Sequence, residues 1–291
     1  MYMKFYKYQG AGNDFLIADN RSGAIREDGG VLYYKEDDGS EKSVVIADLC
    51  DRRYGIGADG VMLLETSSEH DFRMTYFNSD GSGGMMCGNG GRCIVAFAAD
   101  RGIGKFDFIA ADGFHTAEII NSEGGTKTVR LKMKNVDGIH RYESLTGPSF
   151  PSEGCFLDTG TRHYVRFVRN LDAYDVVAEG RDIRQNAQEL LPVGANVNFV
   201  QPEDGILKVR TYEKGVEDET FACGTGIVAS SIAAYAYGVL PSSTDATSGR
   251  VRYDIRAKRD ALAVDFIPKQ RDEFVDVWLT GPAAYVAEIY V

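Results

Sequence analysis

The chain has 291 residues, 44% of them hydrophobic, and its 43 acidic against 32 basic side chains give a net charge of −11. That length accommodates one large domain or two of ordinary size, and an acidic balance with no block of basic residues argues against nucleic acid or an anionic membrane as partner. No run of about 18 apolar residues occurs, and the first residues lack the charged start and apolar stretch of a signal peptide, so a cytoplasmic chain is expected.

In chain order, short alternating stretches bounded by Gly, Asn or Asp predict strands at Met3–Tyr8, Leu16–Asp19, Val61–Glu65, Phe72–Phe77, Val129–Met133, Tyr164–Val168 and Leu207–Tyr212. Residues 22–43, polar and glycine-containing, read as an exposed excursion with no assigned chemistry. The charged segment ADLCDRRY reads as helical. Two segments, Gly90–Asp100 and Gly224–Tyr237, are rich in Ala, Ile, Val and aromatics with little charge, and predict buried helices. Each ends at a glycine, Gly102 or Gly238, suited to a left-handed C-terminal cap.

Both helices follow a Cys-Gly-x-Gly sequence. The first copy reads FRMTYFNSDGSGGMMCGNGGRCIVAFAADRG and the second LKVRTYEKGVEDETFACGTGIVASSIAAYAYG, each a strand, a polar turn, a cysteine and a helix. The two cysteines are 136 residues apart, close to half the chain, which suggests a degenerate duplication into two homologous lobes. A first lobe of residues 1–134 and 276–291 carrying Cys87, and a second of 135–275 carrying Cys223, are expected, with the active site in the cleft between them. The polar segment Asn135–Pro151 is the expected boundary.

Of five cysteines, at 50, 87, 93, 155 and 223, no two form a CxxC pair, and the odd number without an export signal predicts reduced thiols. The four histidines, at 70, 115, 140 and 163, show no metal-ligand spacing, so no metal site is expected. Cys50, Cys93 and Cys155 lack the Cys-Gly-x-Gly context and read as structural. A thiol ionises near pH 8.5 in isolation, and a helix N-terminus can bring that to roughly 3.5–7.5 because first-turn amides and the helix dipole favour the thiolate. Cys87 and Cys223 both hold that position. The glycines after them let the amides of Gly88, Asn89, Gly224 and Thr225 approach an anion closely. Two such starts brought together would cradle one carboxylate with a sulfur on each face of the adjacent carbon. One thiolate then removes the α-proton and the opposite thiol returns one, inverting the stereocentre with no cofactor.

With these residues in view, the chain resembles the diaminopimelate epimerase family along nearly its whole length. The resemblance rests on QGAGNDF near the start, GIGADG at 55–60, YFNSDG at 76–81, MMCGNGGRC at 85–93, NVNF at 196–199 and TYEKGVEDETFACGTG at 211–226, in family order. It implies an α/β (α+β) fold of two pseudo-symmetric lobes, each a curled mixed β-sheet around a central helix. It further implies epimerisation of LL- to meso-diaminopimelate for lysine and peptidoglycan precursors, no pyridoxal phosphate, and a homodimer. By position, the resemblance places catalysis on Cys87 and Cys223, with His163 and Glu213 tuning them. It places substrate binding on Asn13, Asn78, Gly88, Asn89, Asn196, Glu213, Lys214, Gly224 and Thr225.

The chain departs from the family pattern in three places. Lys214 stands where many members have arginine and cannot make the same two-pronged carboxylate contact. The usual Asn-Pro-His reads Thr161-Arg162-His163, and Arg162 is expected to compensate for Lys214. Gly60 stands where some members carry glutamine. Residues 55–60 also satisfy G-x-G-x-x-G, but they leave a helical segment and enter a strand, the reverse of a dinucleotide loop. A redox sensor closing a Cys87–Cys223 disulfide, and a proline or hydroxyproline racemase or epimerase of the same fold, are the remaining alternatives.

Overall fold

The computed structural model describes residues 3–35, 39–149 and 153–291, so residues 36–38 of the expected excursion and 150–151 of the expected boundary segment lie outside the described residues. The chain divides into two units, Met1–Leu131 with Gly281–Val291, and Lys132–Thr280.

The first unit opens with β1 (Lys4–Gly10) and β2 (Asn13–Asp19), followed by a small three-stranded sheet of β3 (Ile25–Asp28), β4 (Val31–Lys35) and β5 (Glu41–Val45). A one-turn helix α1 (Ile46–Cys50), then β6 (Gly60–Glu65), β7 (Phe72–Asn78), the long helix α2 (Gly88–Asp100), β8 (Asp107–Ala110), β9 (Gly113–Glu123) and β10 (Thr126–Lys132) complete it. β1 pairs antiparallel with β2, β2 parallel with β6, β6 antiparallel with β7, β7 parallel with β8, and the run continues antiparallel through β9 and β10. The C-terminal strand Glu273–Tyr290 pairs with both β1 and β10, so the sheet curls back on itself.

Strand periodicity explains how that sheet buries both faces. Tyr6 and Tyr8 point inward and pack on Phe97 of α2, with ring centroids 5.3 and 5.8 Å apart. Phe5, the residue before Tyr6, points the other way into a cluster with Leu16, Ala18, Val61, Leu63 and Phe77, which Leu32, Ile46 and Leu49 cover. The excursion of residues 22–43 therefore includes part of a hairpin sheet that closes an outer core, rather than a wholly exposed loop. α2 is buried continuously from Gly88 to Ala98, as an apolar helix enclosed by a sheet must be.

The second unit contains β11 (Val136–Asp137), β12 (His140–Tyr142), β13 (Gly154–Asp158), β14 (Arg162–Phe167), α3 (Val176–Asn186), β15 (Asn196–Glu203), β16 (Ile206–Glu213) and β17 (Asp218–Thr220). Helix α4 (Gly224–Ala236), β18 (Ser243–Thr244), β19 (Val251–Arg256) and β20 (Ala261–Pro268) lead into the C-terminal strand. β14 runs parallel to β15, β15 antiparallel to β16, β16 parallel to β19, and β19, β20 and the C-terminal strand follow antiparallel. The strands curl around α4, which packs on β13, β14, β15, β16 and β20. The fold is thus mixed α+β, a curled sheet about one buried helix in each unit.

The helix α3 is absent from the sequence reading. Only Val176, Gly180 and Ile183 are buried along it, at helical spacing, and a glycine inside a polar run masks that signal. Asp175 caps it by accepting from the Ala178 amide at 3.0 Å. Gly180 is where α3 meets the sheet: a Cβ there would lie 2.4 Å from Cβ of the buried Tyr212. Alanine gains about 1 kcal/mol of helix propensity over glycine, but overpacking a buried contact costs about 1–3 kcal/mol. Gly180→Ala should therefore lower stability by up to about 2 kcal/mol net, read as a lower urea midpoint. An unchanged or raised midpoint would show that α3 can shift outward without loss.

Candidate active site

Cys87 is the N-cap of α2, with extended backbone (φ −106°, ψ 154°) and its sulfur accepting from the Gly90 amide at 3.3 Å. The helix begins two residues before the expected Gly90, because Gly88 and Asn89 already adopt helical geometry. The first ladder bond is Gly91 N–H to the Cys87 carbonyl at 2.8 Å, so the amides of Gly88 and Asn89 precede the ladder, as at any helix start.

Asn89 is buried and anchored from both sides. It donates to Asn13 Oδ1 at 2.7 Å and accepts from Arg92 at 2.7 Å, while Asn13 donates to Asp59 at 2.7 Å. Arg92 is fully buried, and it also donates to the Gly88 carbonyl at 3.2 Å and the Pro282 carbonyl at 3.3 Å. A cation thereby sits at the first turn of α2. Tyr76 packs edge-on against Phe15. Its ring lies between two glycines, with a Cβ at Gly60 meeting it at 2.5 Å and one at Gly84 at 2.3 Å. This is the structural reason for glycine rather than a glutamine at position 60. Burial pushes the Tyr76 phenol well above its ordinary range, and the neighbouring Cys87 adds to the rise. Asn78, at the end of β7, bonds Ser82 Oγ at 3.0 Å.

In the second unit Cys223 is the N-cap residue of α4, again with extended backbone (φ −96°, ψ 112°) and half-buried, and its sulfur lies 3.4 Å from the Thr225 hydroxyl without a cap bond to the helix. The hydroxyls of Thr161 and Thr225 and Nε2 of His163 form a triangle with all three sides at 2.9 Å. His163 is fully buried and its Nδ1 lies 3.0 Å from Nδ2 of Asn198. Burial pushes the imidazole down to about 3, against a smaller upward pull from Asp158. The ring is therefore neutral throughout the physiological range.

Asn196 ties two segments together, donating to the Arg162 carbonyl at 3.2 Å and accepting from the Lys214 amide at 2.9 Å. Glu213 is half-buried at the end of β16 and Lys214, beyond it, is exposed. The expected compensation by Arg162 is not supported. On β14 it alternates with His163, and its guanidinium lies over the Phe156 ring and reaches the Leu190 carbonyl at 3.4 Å. It serves the face opposite to His163.

The described structure brings Asn13 and Asn89 together in one unit and His163 and Thr225 in the other. Not named as site residues in the sequence reading are the side chains of Thr161 and Asn198, the Tyr76 ring, Asp59 and the buried Arg92. Asn198 was legible in principle, since it sits two residues after Asn196 on one strand and hence on the same face. Cys50, Cys93 and Cys155 are buried, and burial raises the first to about 11 and the last to about 12, as for packing thiols. Among the described residues no three His, Cys, Asp or Glu side chains cluster as metal ligands.

The fold is similar to a PhzF-family phenazine biosynthesis protein of Bacillus anthracis, with a TM-score of 0.69, 14% identity, and coverage of 100% of this chain and 99% of that one. It is also similar to a probable proline racemase of Agrobacterium radiobacter K84 solved with bound carbonate, with a TM-score of 0.64, 15% identity, and coverage of 99% and 92%. The chain therefore shares its fold with these two proteins. The family model for diaminopimelate epimerase matches residues 5–136 and 155–265. The chain is 41% identical over 290 residues to the diaminopimelate epimerase of Flavobacterium psychrophilum, covering 98% of this chain and 99% of that one. The chain belongs to the diaminopimelate epimerase family.

The buried His163 also couples folding to pH. Its imidazole binds a proton only near pH 3 when folded but near 6.5 when unfolded. Between those values the unfolded chain holds more protons, so this group's contribution to stability is lost as pH falls from about 6.5 towards 3. In His163→Gln the slope of unfolding free energy against pH should shrink across that window by up to one proton, about 1.4 kcal/mol per pH unit. Urea titrations of both proteins at several acidic pH values measure it, and parallel slopes would show that His163 does not stay neutral on folding.

Proposed function

We propose that this chain interconverts LL- and meso-2,6-diaminopimelate by two-base proton transfer between Cys87 and Cys223. The supporting observation is that each unit encloses one buried helix and places a cysteine at its N-cap, followed by glycine. In this reading the substrate carboxylate is held by the amides of Gly88, Asn89, Gly224 and Thr225, which also stabilise charge flowing into it as the α-proton leaves. Each such donor contributes about 3 kcal/mol by analogy with oxyanion holes. One sulfur takes the proton as thiolate and the other returns one as thiol to the opposite face, so their states exchange with reaction direction.

The neutrality of His163 sharpens this assignment. An imidazole held down to about 3 is a hydrogen-bonding group at neutral pH and a poor proton shuttle, which leaves proton transfer to the sulfurs. Asn13, Asn78, Asn196, Glu213 and Lys214 supply polar contacts for the distal ammonium and carboxylate. Lys214 bonds that carboxylate as a point charge and not as a fork. The activity belongs to lysine and peptidoglycan precursor synthesis, in the cytoplasm, and the enzyme works as a homodimer without a cofactor. A proline-type substrate has only the likeness of fold behind it.

The deciding measurement is incubation of LL-diaminopimelate in deuterated water with wild type, Cys87→Ser and Cys223→Ser. Wild type should take deuterium into the α-position and form meso product, and each variant should lose at least two orders of magnitude in epimerisation, in line with the loss of a positioned acid or base. Wild type lacking both signals would overturn the substrate. Full activity in either variant would overturn the mechanism.

A further inference from the structure

Asn198 is fully buried beneath His163, and every atom of its amide is committed. Its Nδ2 lies 3.2 Å from the Tyr164 carbonyl, which can only accept, and its Oδ1 lies 2.9 Å from the Thr211 hydroxyl. Turning the amide over would set two oxygens against each other, so Nδ2 is the atom that faces His163. It follows that Nδ1 of His163, 3.0 Å away, accepts. A neutral ring that accepts at Nδ1 carries its proton on Nε2.

That proton points into the triangle of hydroxyls, 2.9 Å from both Thr161 and Thr225. If Thr161 receives it, Thr161 passes its own proton to Thr225. If Thr225 receives it directly, the Thr161 proton takes the second lone pair of Thr225. In the two arrangements in which Thr161 donates to Thr225, Thr225 is an acceptor on this side and its own proton is left for Cys223 Sγ at 3.4 Å. A second feature shows that the geometry is built. A Cβ at Gly226, one turn into α4, would come within 2.3 Å of Asn198 Oδ1 and 3.2 Å of His163 Cε1, so the last glycine of CGTG makes room for this chain of groups.

We propose that Asn198 is a positioning residue for the Cys223 half of the reaction, fixing the tautomer of His163 so that the Thr225 hydroxyl donates to the Cys223 sulfur and supports its thiolate. This rests on the reading of Cys223 as an acid and base. Asn198 touches neither substrate nor sulfur and acts through two intermediaries. Asp158 on the adjoining β13 acts electrostatically on His163. β15 presents the neutral Asn196 and Asn198, the first turn of α4 carries no acidic residue, β16 ends on Glu213, and the relay ends on the titratable sulfur of Cys223.

Two readouts on the full-length protein test the proposal. The first is the two-bond proton–nitrogen spectrum of labelled protein, with the His163 signals identified by their loss in His163→Gln. Wild type should show an unprotonated Nδ1 and a protonated Nε2 that do not titrate through neutral pH, and Asn198→Leu should show both tautomers. The second is peptide-resolved alkylation of Cys223 by iodoacetamide against pH. Loss of a hydrogen bond to a charged sulfur in Thr225→Val should slow labelling at neutral pH about tenfold, Thr225→Ser should restore it, and Asn198→Leu should give a smaller loss.

A protonated Nδ1 in wild type, or a Thr225→Val protein that labels like wild type, overturns the proposal. If Asn198→Leu fails to fold, as thermal melting would show, the wild-type tautomer and the Thr225 pair still decide. Diaminopimelate turnover is assayed on the same samples. Absence of turnover with the expected spectra and labelling defeats the assigned reaction and leaves the relay standing, whereas normal turnover with the wrong tautomer defeats the relay alone.

Discussion

The structure depends on how two helix starts are satisfied inside a curled sheet. A helix N-terminus presents amides with no intrahelical acceptor, and proteins ordinarily cap it with Ser, Thr, Asp or Asn. Both α2 and α4 begin on a cysteine, a weak acceptor in its thiol form, at a site where the next residues are buried. The Gly90 amide donates to the Cys87 sulfur, whereas the Cys223 sulfur makes no cap bond to the first turn of α4 and lies against the Thr225 hydroxyl. A strong cap would settle these amides within the protein. A sulfur cap leaves the helix start suited to an anion, and the same first-turn amides favour the sulfur in its charged form. The cost in helix stability and the capacity to bind a carboxylate are the same property of the site.

Glycine then determines which side chains can stand beside each sulfur. At Gly60 and Gly84 the missing Cβ atoms admit the Tyr76 ring edge-on, and at Gly226 the missing Cβ admits the Asn198 amide and the His163 ring. These are contacts of 2.3 to 2.5 Å to an added Cβ at their closest, too short for a real one. The helices are enclosed so tightly that the polar groups fit only where the backbone has been stripped. Backbone permissiveness plays a smaller part, since these positions are not in the left-handed region.

The sequence displayed the parts of the fold that are apolar and repeated. An all-round apolar helix has no solvent face, so Gly90–Asp100 and Gly224–Tyr237 could be recognised without knowing what surrounds them, and the repeated Cys-Gly-x-Gly marked their starts. The helix α3 was not legible because it buries three positions only, one of them Gly180, and periodicity carried by a residue without a side chain is invisible to a pattern of hydrophobicity. The strands Asn196–Glu203 and Ala261–Pro268 went unassigned because their buried runs alternate poorly, being covered on both faces. For the site, sequence pointed to residue types and not to directions. Arg162 could be placed beside His163 in the chain, but strand alternation turns adjacent side chains to opposite faces, and its guanidinium went to Leu190.

Two cysteines in the same local context thus have different surroundings. Near Cys87 the polar environment is anchored by a fixed cation, Arg92, bonded to the carbonyl of the very next residue, Gly88. Near Cys223 it includes neutral groups that can donate and accept, a hydroxyl pair and an imidazole. The distinction matters for any sulfur that must exist as thiolate and thiol in turn. A fixed cation favours the charged form and cannot reverse its preference, because Arg has donors only. A hydroxyl can donate to a thiolate and accept from a thiol by rotation about one bond, with no charge moved and no heavy atom displaced. Such a group stabilises the anion less strongly, but it serves both states, provided something holds it in place. Within the second unit the rigid part of that arrangement is the buried amide of Asn198, whose bonds to Tyr164 and Thr211 leave it no freedom to turn.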